Sequence, residues 1–178
     1  MRVVLSLLCL SFPLAANAER TTIFSKGSWV VEYVSSDDVT WCEATTTNQQ
    51  NQTFDLTAFA SGDFTIYVWD ANWDIESRPV SFIIDIDYSR WNMDGTASGK
   101  SVSVTPSDAT KTVDFLSDLK RGRAVALYND DEFRLATFSL SGSSAAIDSL
   151  MDCWEKTSPL DTPASPSDPF ATTSDPFI

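Results

Sequence analysis

The 178-residue sequence predicts a mainly β fold, an antiparallel β-sandwich or partly closed barrel with two short helices. Three observations point there. Apolar and polar residues alternate with period two through much of residues 28–140, in runs rich in β-branched and aromatic side chains. Turn formers separate the runs, as in Ser35-Ser36-Asp37-Asp38, Ser61-Gly62-Asp63 and Asn129-Asp130-Asp131. Two segments depart from this pattern and take helical spacing instead.

The chain opens with a segment that stands apart from the fold. Arg2, the apolar run Val3–Leu14 and the small-x-small triplet Ala16-Asn17-Ala18 have the layout of a secretory signal peptide over residues 1–18. Leu8 before Cys9 does not suit a lipoprotein signal, and the apolar run is too short to span a bilayer. A single β-rich domain is expected over residues 19–157. Its strands are expected at Ser28–Val34, Val39–Thr45, Thr53–Phe59 and Phe64–Trp69, then at Val80–Asp87, Lys100–Thr105, Arg123–Asn129 and Glu132–Leu140. Val80–Ile86 is the most continuously apolar of them and reads as a central strand.

The first helix is expected at about 108–121. Phe115, Leu116 and Leu119 share a face, Lys120 and Arg121 complement the helix dipole, and Gly122 follows as a C-cap. The second is expected at about 144–155, where Ala146, Ile147, Leu150, Met151, Cys153 and Trp154 form one stripe. Ser141, Ser143 or Ser144 is expected to cap its free amides. Residues 158–178 are rich in Pro, Ser, Thr and Asp and read as a disordered tail, with Ser-Asp-Pro-Phe occurring at 167–170 and again at 174–177.

A formal charge of −13 sets the surface against nucleic acid and anionic lipid, so neither is expected as a partner. Loss of the leader leaves Cys42 and Cys153, an even pair in an oxidising compartment, and a disulfide is expected between them. With no histidine in the chain, Ser-His-Asp and Cys-His catalysis and histidine-ligated metals are excluded. Ser141-Gly142-Ser143-Ser144-Ala145 lacks the second glycine of a nucleophile elbow.

Asp70, Asn72 and Asp74 alternate like the start of a calcium loop. However, Ile75 stands where that loop needs glycine and Ser81 where it needs a bidentate carboxylate. They are weak metal candidates, and no metal or cofactor is expected. Asp85 and Asp87 lie on one face of a strand, about 7 Å apart. They could serve acid/base chemistry, or they could meet turn amides or an arginine such as Arg90. Trp73 and Trp91 fall in polar, loop-like contexts and are the candidate ligand-binding anchors, with packing at the core's rim as the alternative.

From Val80 to Cys153 the chain resembles the invasion-associated locus B family of bacterial exported proteins, through "VSFIIDI", "VDFLSDLKRGRAVAL" and "FSLSGSSAAIDSLMDC". The resemblance marks Asp85, Gly122, Leu140, Gly142 and Ala145-Ala146 as fold-defining positions. Ser143 replaces the aromatic that often follows the turn glycine, and the family's additional cysteines are missing. The resemblance implies a β-rich periplasmic or surface domain and supplies no reaction. The expected function is therefore that of a non-enzymatic, periplasmic or secreted binding or envelope-associated protein, with an unknown protein or envelope component as partner. The alternatives are a secreted inhibitor of a host or competitor enzyme, anchored by an aromatic such as Trp73, and a hydrolase using Asp85 and Asp87.

Overall fold

The computed structural model describes residues 18–36 and 39–158. Nearly all of the expected leader, Asp37 and Asp38 of the first expected turn, and the expected tail beyond Ser158 lie outside the described residues. The elements run β1 (Glu19–Lys26), β2 (Trp29–Ser35), β3 (Thr40–Thr47), β4 (Thr53–Phe59), β5 (Phe64–Trp69), β6 (Ile75–Ile86), β7 (Ser89–Gly99), β8 (Ser101–Val104), α1 (Ala109–Arg121), β9 (Ala124–Asn129), β10 (Arg134–Ser139) and α2 (Ser143–Thr157).

The strands form one antiparallel sheet in the order β1-β2-β3-β4-β5-β8-β7-β6-β9-β10, which is not closed into a barrel. β1 to β5 are a meander. The long hairpin β6–β7 then leaves β8 beside β5, and α1 carries the chain across to lay β9 against β6. Alternation decides what is buried. Val31, Ala44, Leu56, Ile66 and Val104 lie in one cross-strand row facing the core.

The sheet bends back on itself until β10 approaches the β2–β4 end of the molecule. Trp29 Nε1 donates to Ser139 O, Asn48 Nδ2 to Thr137 O and Gln52 Nε2 to Leu135 O, each at 3.2 Å. Alternate residues of a strand aim their carbonyls at the same edge, so these are three successive acceptors on the side of β10 away from β9. Side-chain donors thus satisfy an edge that would otherwise be open to another strand.

Two strands were not expected. β1 is polar and largely exposed, and it is held by its ladder to β2 with Ile23 skipped in a register shift. β7 contains Asn92, Asp94 and Gly95, all poor strand formers, yet Trp91, Met93 and Ala97 alternate toward the core. Pairing with β6 along its length outweighs that local preference. Trp91 therefore lies in a strand and not in a loop.

Both helices form close to the expected positions. Asp108 caps α1, accepting from Thr110 N and Lys111 N at 3.0 and 3.1 Å. Gly122 follows α1 with an ordinary φ of −73°. Its need is for space, since a Cβ there would lie 2.7 Å from both Ile86 Cγ2 and Leu140 Cδ1.

The serine cap of α2 does not form. Gly142 is the N-cap, at φ +100°, with no side-chain capping bond. Ser143 is buried and donates its hydroxyl to Leu119 O at 2.7 Å, filling one of the unpaired carbonyls in the last turn of α1. A Cβ on Gly142 would sit 2.6 Å from Lys26 O, and one on Gly27 (φ +64°) 2.7 Å from Ser141 O. The β1–β2 turn and the β10–α2 turn are in backbone contact, which only glycines permit.

Cys42 of β3 and Cys153 of α2 are disulfide-bonded, with Cα atoms 6.1 Å apart and a sequence separation of 111. The double variant Cys42→Ser/Cys153→Ser is expected to lose about 2–5 kcal/mol of stability. Urea denaturation with and without reductant measures this, and an unchanged midpoint would show that the link adds nothing. Gly142→Ala is expected to lose about 2 kcal/mol or more, from backbone strain and displaced contacts, while Ser144→Ala in the same turn changes the midpoint little.

Candidate functional site

β6 is longer than the partner on one of its sides. β7 pairs with it from Ile75 to Ile86, but β9 reaches only Phe82–Ile86. The overhanging half of β6, which includes Pro79, has a strand neighbour on one side only, the setting in which proline is tolerated in a sheet. Beside the overhang lies a cleft of about 590 Å³. Phe82, Ala97, Val102 and Leu127 supply an apolar lining of buried residues, Trp73 and Leu135 form walls, and Arg78, Asp130 and Asp131 supply charge.

Trp73 reaches this cleft because of Asp70. That residue is 7% exposed at the start of the β5–β6 connection. Its Oδ1 accepts from Asn72 N at 2.8 Å and Asn72 Nδ2 at 3.0 Å, and its Oδ2 accepts from Gln52 Nε2 at 2.8 Å. Asp70 O accepts from Trp73 N at 3.1 Å, closing the turn. The Asn72 backbone N–H leads the contacts that hold the Asp70 carboxyl below its ordinary range, against the opposing effect of burial. Gln52 also donates to Leu135 O, so one amide ties the Trp73 wall to the Leu135 wall.

The weak metal candidates are arranged differently from a coordination sphere. Asp70 is occupied by N–H donors, Asn72 is one of its donors, and Asp74 is exposed. Among the described residues no cluster of three or more metal-ligating side chains occurs. Asp85 Oδ1 accepts from Tyr88 N at 2.8 Å within the β6–β7 hairpin. Asp87 sits in that turn at φ +47° and accepts from Arg123 N at 2.8 Å and Ala124 N at 3.3 Å. Each carboxylate is thus engaged with backbone amides, Asp87 also with the Arg123 side chain at 3.6 Å, and neither lines the cleft. Trp91 packs edge-on against Phe115 at 5.4 Å and donates Nε1 to Asp118 Oδ2 at 3.2 Å, which fastens α1 to the sheet. The structure places Trp73 in the cleft and Trp91 beneath α1.

A second group of residues lies on the outward face of β1–β5 and was not singled out from the sequence. Glu32, Glu43 and Thr57 form one cross-strand row, and Thr45, Asp55 and Tyr67 form the next. Trp41 and Phe59 flank one side and Trp69 the other. Burial pushes the Asp55 carboxyl up to about 7, with Glu43 adding to the rise and the Thr57 hydroxyl and Arg20 opposing it. Burial, with Asp55 nearby, also raises Tyr67. The signal was present in the alternate positions 41-43-45, 53-55-57-59 and 65-67-69. Reading each strand for its core-facing half passes over that outward set.

Comparisons with protein-family models and with curated protein sequences gave no match. Among solved structures, the crystal structure of invasion associated protein B from Bartonella henselae is similar, with a TM-score of 0.50 and 17% identity. The match covers 79% of this chain and 99% of that one. At that identity the likeness is one of fold.

Asp70→Ala is expected to cost about 1–3 kcal/mol, because it strips the partners from a buried amide and a turn N–H. The Asp70 carboxyl is held below its unfolded value of about 3.9, so its ionic contribution is complete above that pH and is lost as pH falls through the folded value. Urea titrations of wild type and variant at neutral pH and at about pH 2 should show the difference shrinking in acid. A difference independent of pH would mean that the charge contributes nothing.

Proposed function

We propose that this chain is an exported binding protein, periplasmic or secreted, that takes an apolar group of a protein or envelope component into the Trp73 cleft. The observation that carries the reading is the cleft itself. A buried apolar lining, one tryptophan held in place by a hydrogen-bonded turn, and a few charged residues are the composition of a recognition site. The overhanging edge of β6 along the same cleft leaves backbone groups available to a partner's main chain, which suits an extended polypeptide segment.

Three further features favour export. The leader-like first eighteen residues and the long-range Cys42–Cys153 disulfide both fit an oxidising compartment. The fold likeness to invasion associated protein B agrees with the sequence resemblance over Val80–Cys153. Among the described residues no helix is long and apolar enough to cross a membrane. Binding is favoured over hydrolysis because Asp85 and Asp87 are taken up by backbone amides away from the cleft. The partly buried position of Trp73 suits a receptor better than a protruding inhibitory loop.

A photo-crosslinking residue at Ser81, beside the cleft, tests this in the producing cell. The expected result is a discrete adduct that fades when Trp73→Ala is added and does not form with the crosslinker at exposed Thr110. Adducts of equal strength at both positions, or an adduct indifferent to Trp73→Ala, would refute the cleft as the binding site.

A further inference from the structure

The outward face of β1–β5 holds three carboxylates, Glu32, Glu43 and Asp55, and one cation, Arg20. The guanidinium is committed to two of the three: Arg20 Nη1 lies 2.9 Å from Glu32 Oε2 and pairs closely with Glu43 Oε1. Glu43 is 8% exposed, and its other oxygen accepts from Trp41 Nε1 at 2.7 Å. Asp55 receives only the neutral Thr57 hydroxyl and takes part in neither ion pair. It lines a furrow of about 440 Å³ together with the paired Arg20 and Glu43 and the rings of Trp41, Phe59, Tyr67 and Trp69. Trp69 is 40% exposed, so the furrow opens outward.

A carboxylate enclosed by rings and left outside the ion pairs, with the nearby Arg20 committed to Glu32 and Glu43, is disfavoured in its charged form, and a cation entering beside it restores that form. Aromatic faces around the same space attract a cation as well. We propose that this furrow receives a basic side chain, the ammonium of lysine or the guanidinium of arginine, from a polypeptide. Asp55 supplies the counter-charge, and the rings close around the alkyl stem. The proposal stands independently of the Trp73 cleft, with which the furrow shares no lining residue.

The site should be sensitive to pH, with the sign set by its surroundings. Facing Asp55 are Arg20 from β1, Glu32 from β2, Glu43 and Thr45 from β3, and Tyr67 from β5, with Thr53 and Thr57 on its own strand. Burial and the Glu43 charge hold the carboxyl near 7, so it is largely protonated in mild acid and ionised in mild base. Cation binding must therefore strengthen as pH rises.

Blocked Gly-Lys-Gly and Gly-Arg-Gly peptides are suitable probes, with blocked Gly-Gln-Gly as the neutral control and spermidine as a free polyamine. Calorimetry and tryptophan fluorescence are expected to show saturable binding of the basic peptides that tightens about tenfold between about pH 6 and about pH 8.5. Asp55→Asn should weaken binding about tenfold at the higher pH and flatten the pH dependence. Glu76→Gln, an exposed carboxylate on β6, should do neither, which separates site binding from attraction to a chain of charge −13. Trp69→Ala should weaken binding several-fold and keep the pH dependence, which covers the case in which Asp55→Asn fails to fold.

Binding that is absent in wild type, unchanged in Asp55→Asn, or equal for the Gln peptide would overturn the proposal. Affinity that falls with rising pH would overturn it too, since that is the mark of a neutral ligand accepting the Asp55 proton. Spermidine binding more tightly than either peptide, with the same Asp55 dependence, would overturn the polypeptide source.

Discussion

Three carbonyls on the outer edge of β10 govern the shape of this molecule. Leu135, Thr137 and Ser139 present them in succession, and Gln52, Asn48 and Trp29 reach across to take them with side-chain donors. A strand ladder there would close the sheet into a barrel, and the absence of partners would leave an edge open to other chains. Side-chain bonds give an intermediate result. The sheet bends back far enough to enclose Trp29, Phe54 and Phe138 in one aromatic cluster, but its first and last strands remain unpaired with each other. The Trp73 cleft depends on the same contacts, because Gln52 serves Asp70 with one hydrogen bond and Leu135 with another.

The opposite side of the core is closed by α2, which is held at both ends. Near its C-terminus the disulfide joins it to β3, and Trp154 Nε1 donates to Phe59 O at 2.8 Å. At its N-terminus the Gly142 turn rests on Lys26, Ser143 bonds to Leu119, and Lys120 pairs with Asp148 at 2.6 Å. The two helices therefore act as one cover. Cleft and furrow both lie away from it, where the sheet itself provides the surface. One arises from a mismatch in strand length, the other from side chains that alternation turns outward.

Much of this architecture is legible along the chain. Eight of the ten strands fall on the expected runs, although β6 begins at Ile75, five residues before the expected Val80, and both helices show their stripes. The cysteine pair is legible because only two remain once the expected leader is set aside. β7 escaped because Asn92, Asp94 and Gly95 mask an alternation that becomes visible only when β6 is laid beside it. The serines before α2 look like caps by local preference, yet Gly142 makes the turn and Ser143 serves the neighbouring helix. Of the two tryptophans singled out, Trp73 lines a cleft and Trp91 fastens a helix. Their local contexts are alike, and what differs is the element packed against each.

Sequence by itself determined the class of fold, the approximate bounds of most elements, the cysteine pairing and the exclusion of histidine chemistry. These follow from local spacing and from counting, and both are complete within a single chain. Tertiary structure alone decided that the sheet bends without closing, that Asp85 and Asp87 hold turns, and that Asp55 lies among rings outside the Arg20 ion pairs. Each of those depends on which distant residues meet. Strand order sets those meetings, and strand order is a property of the assembled sheet that no window of sequence contains.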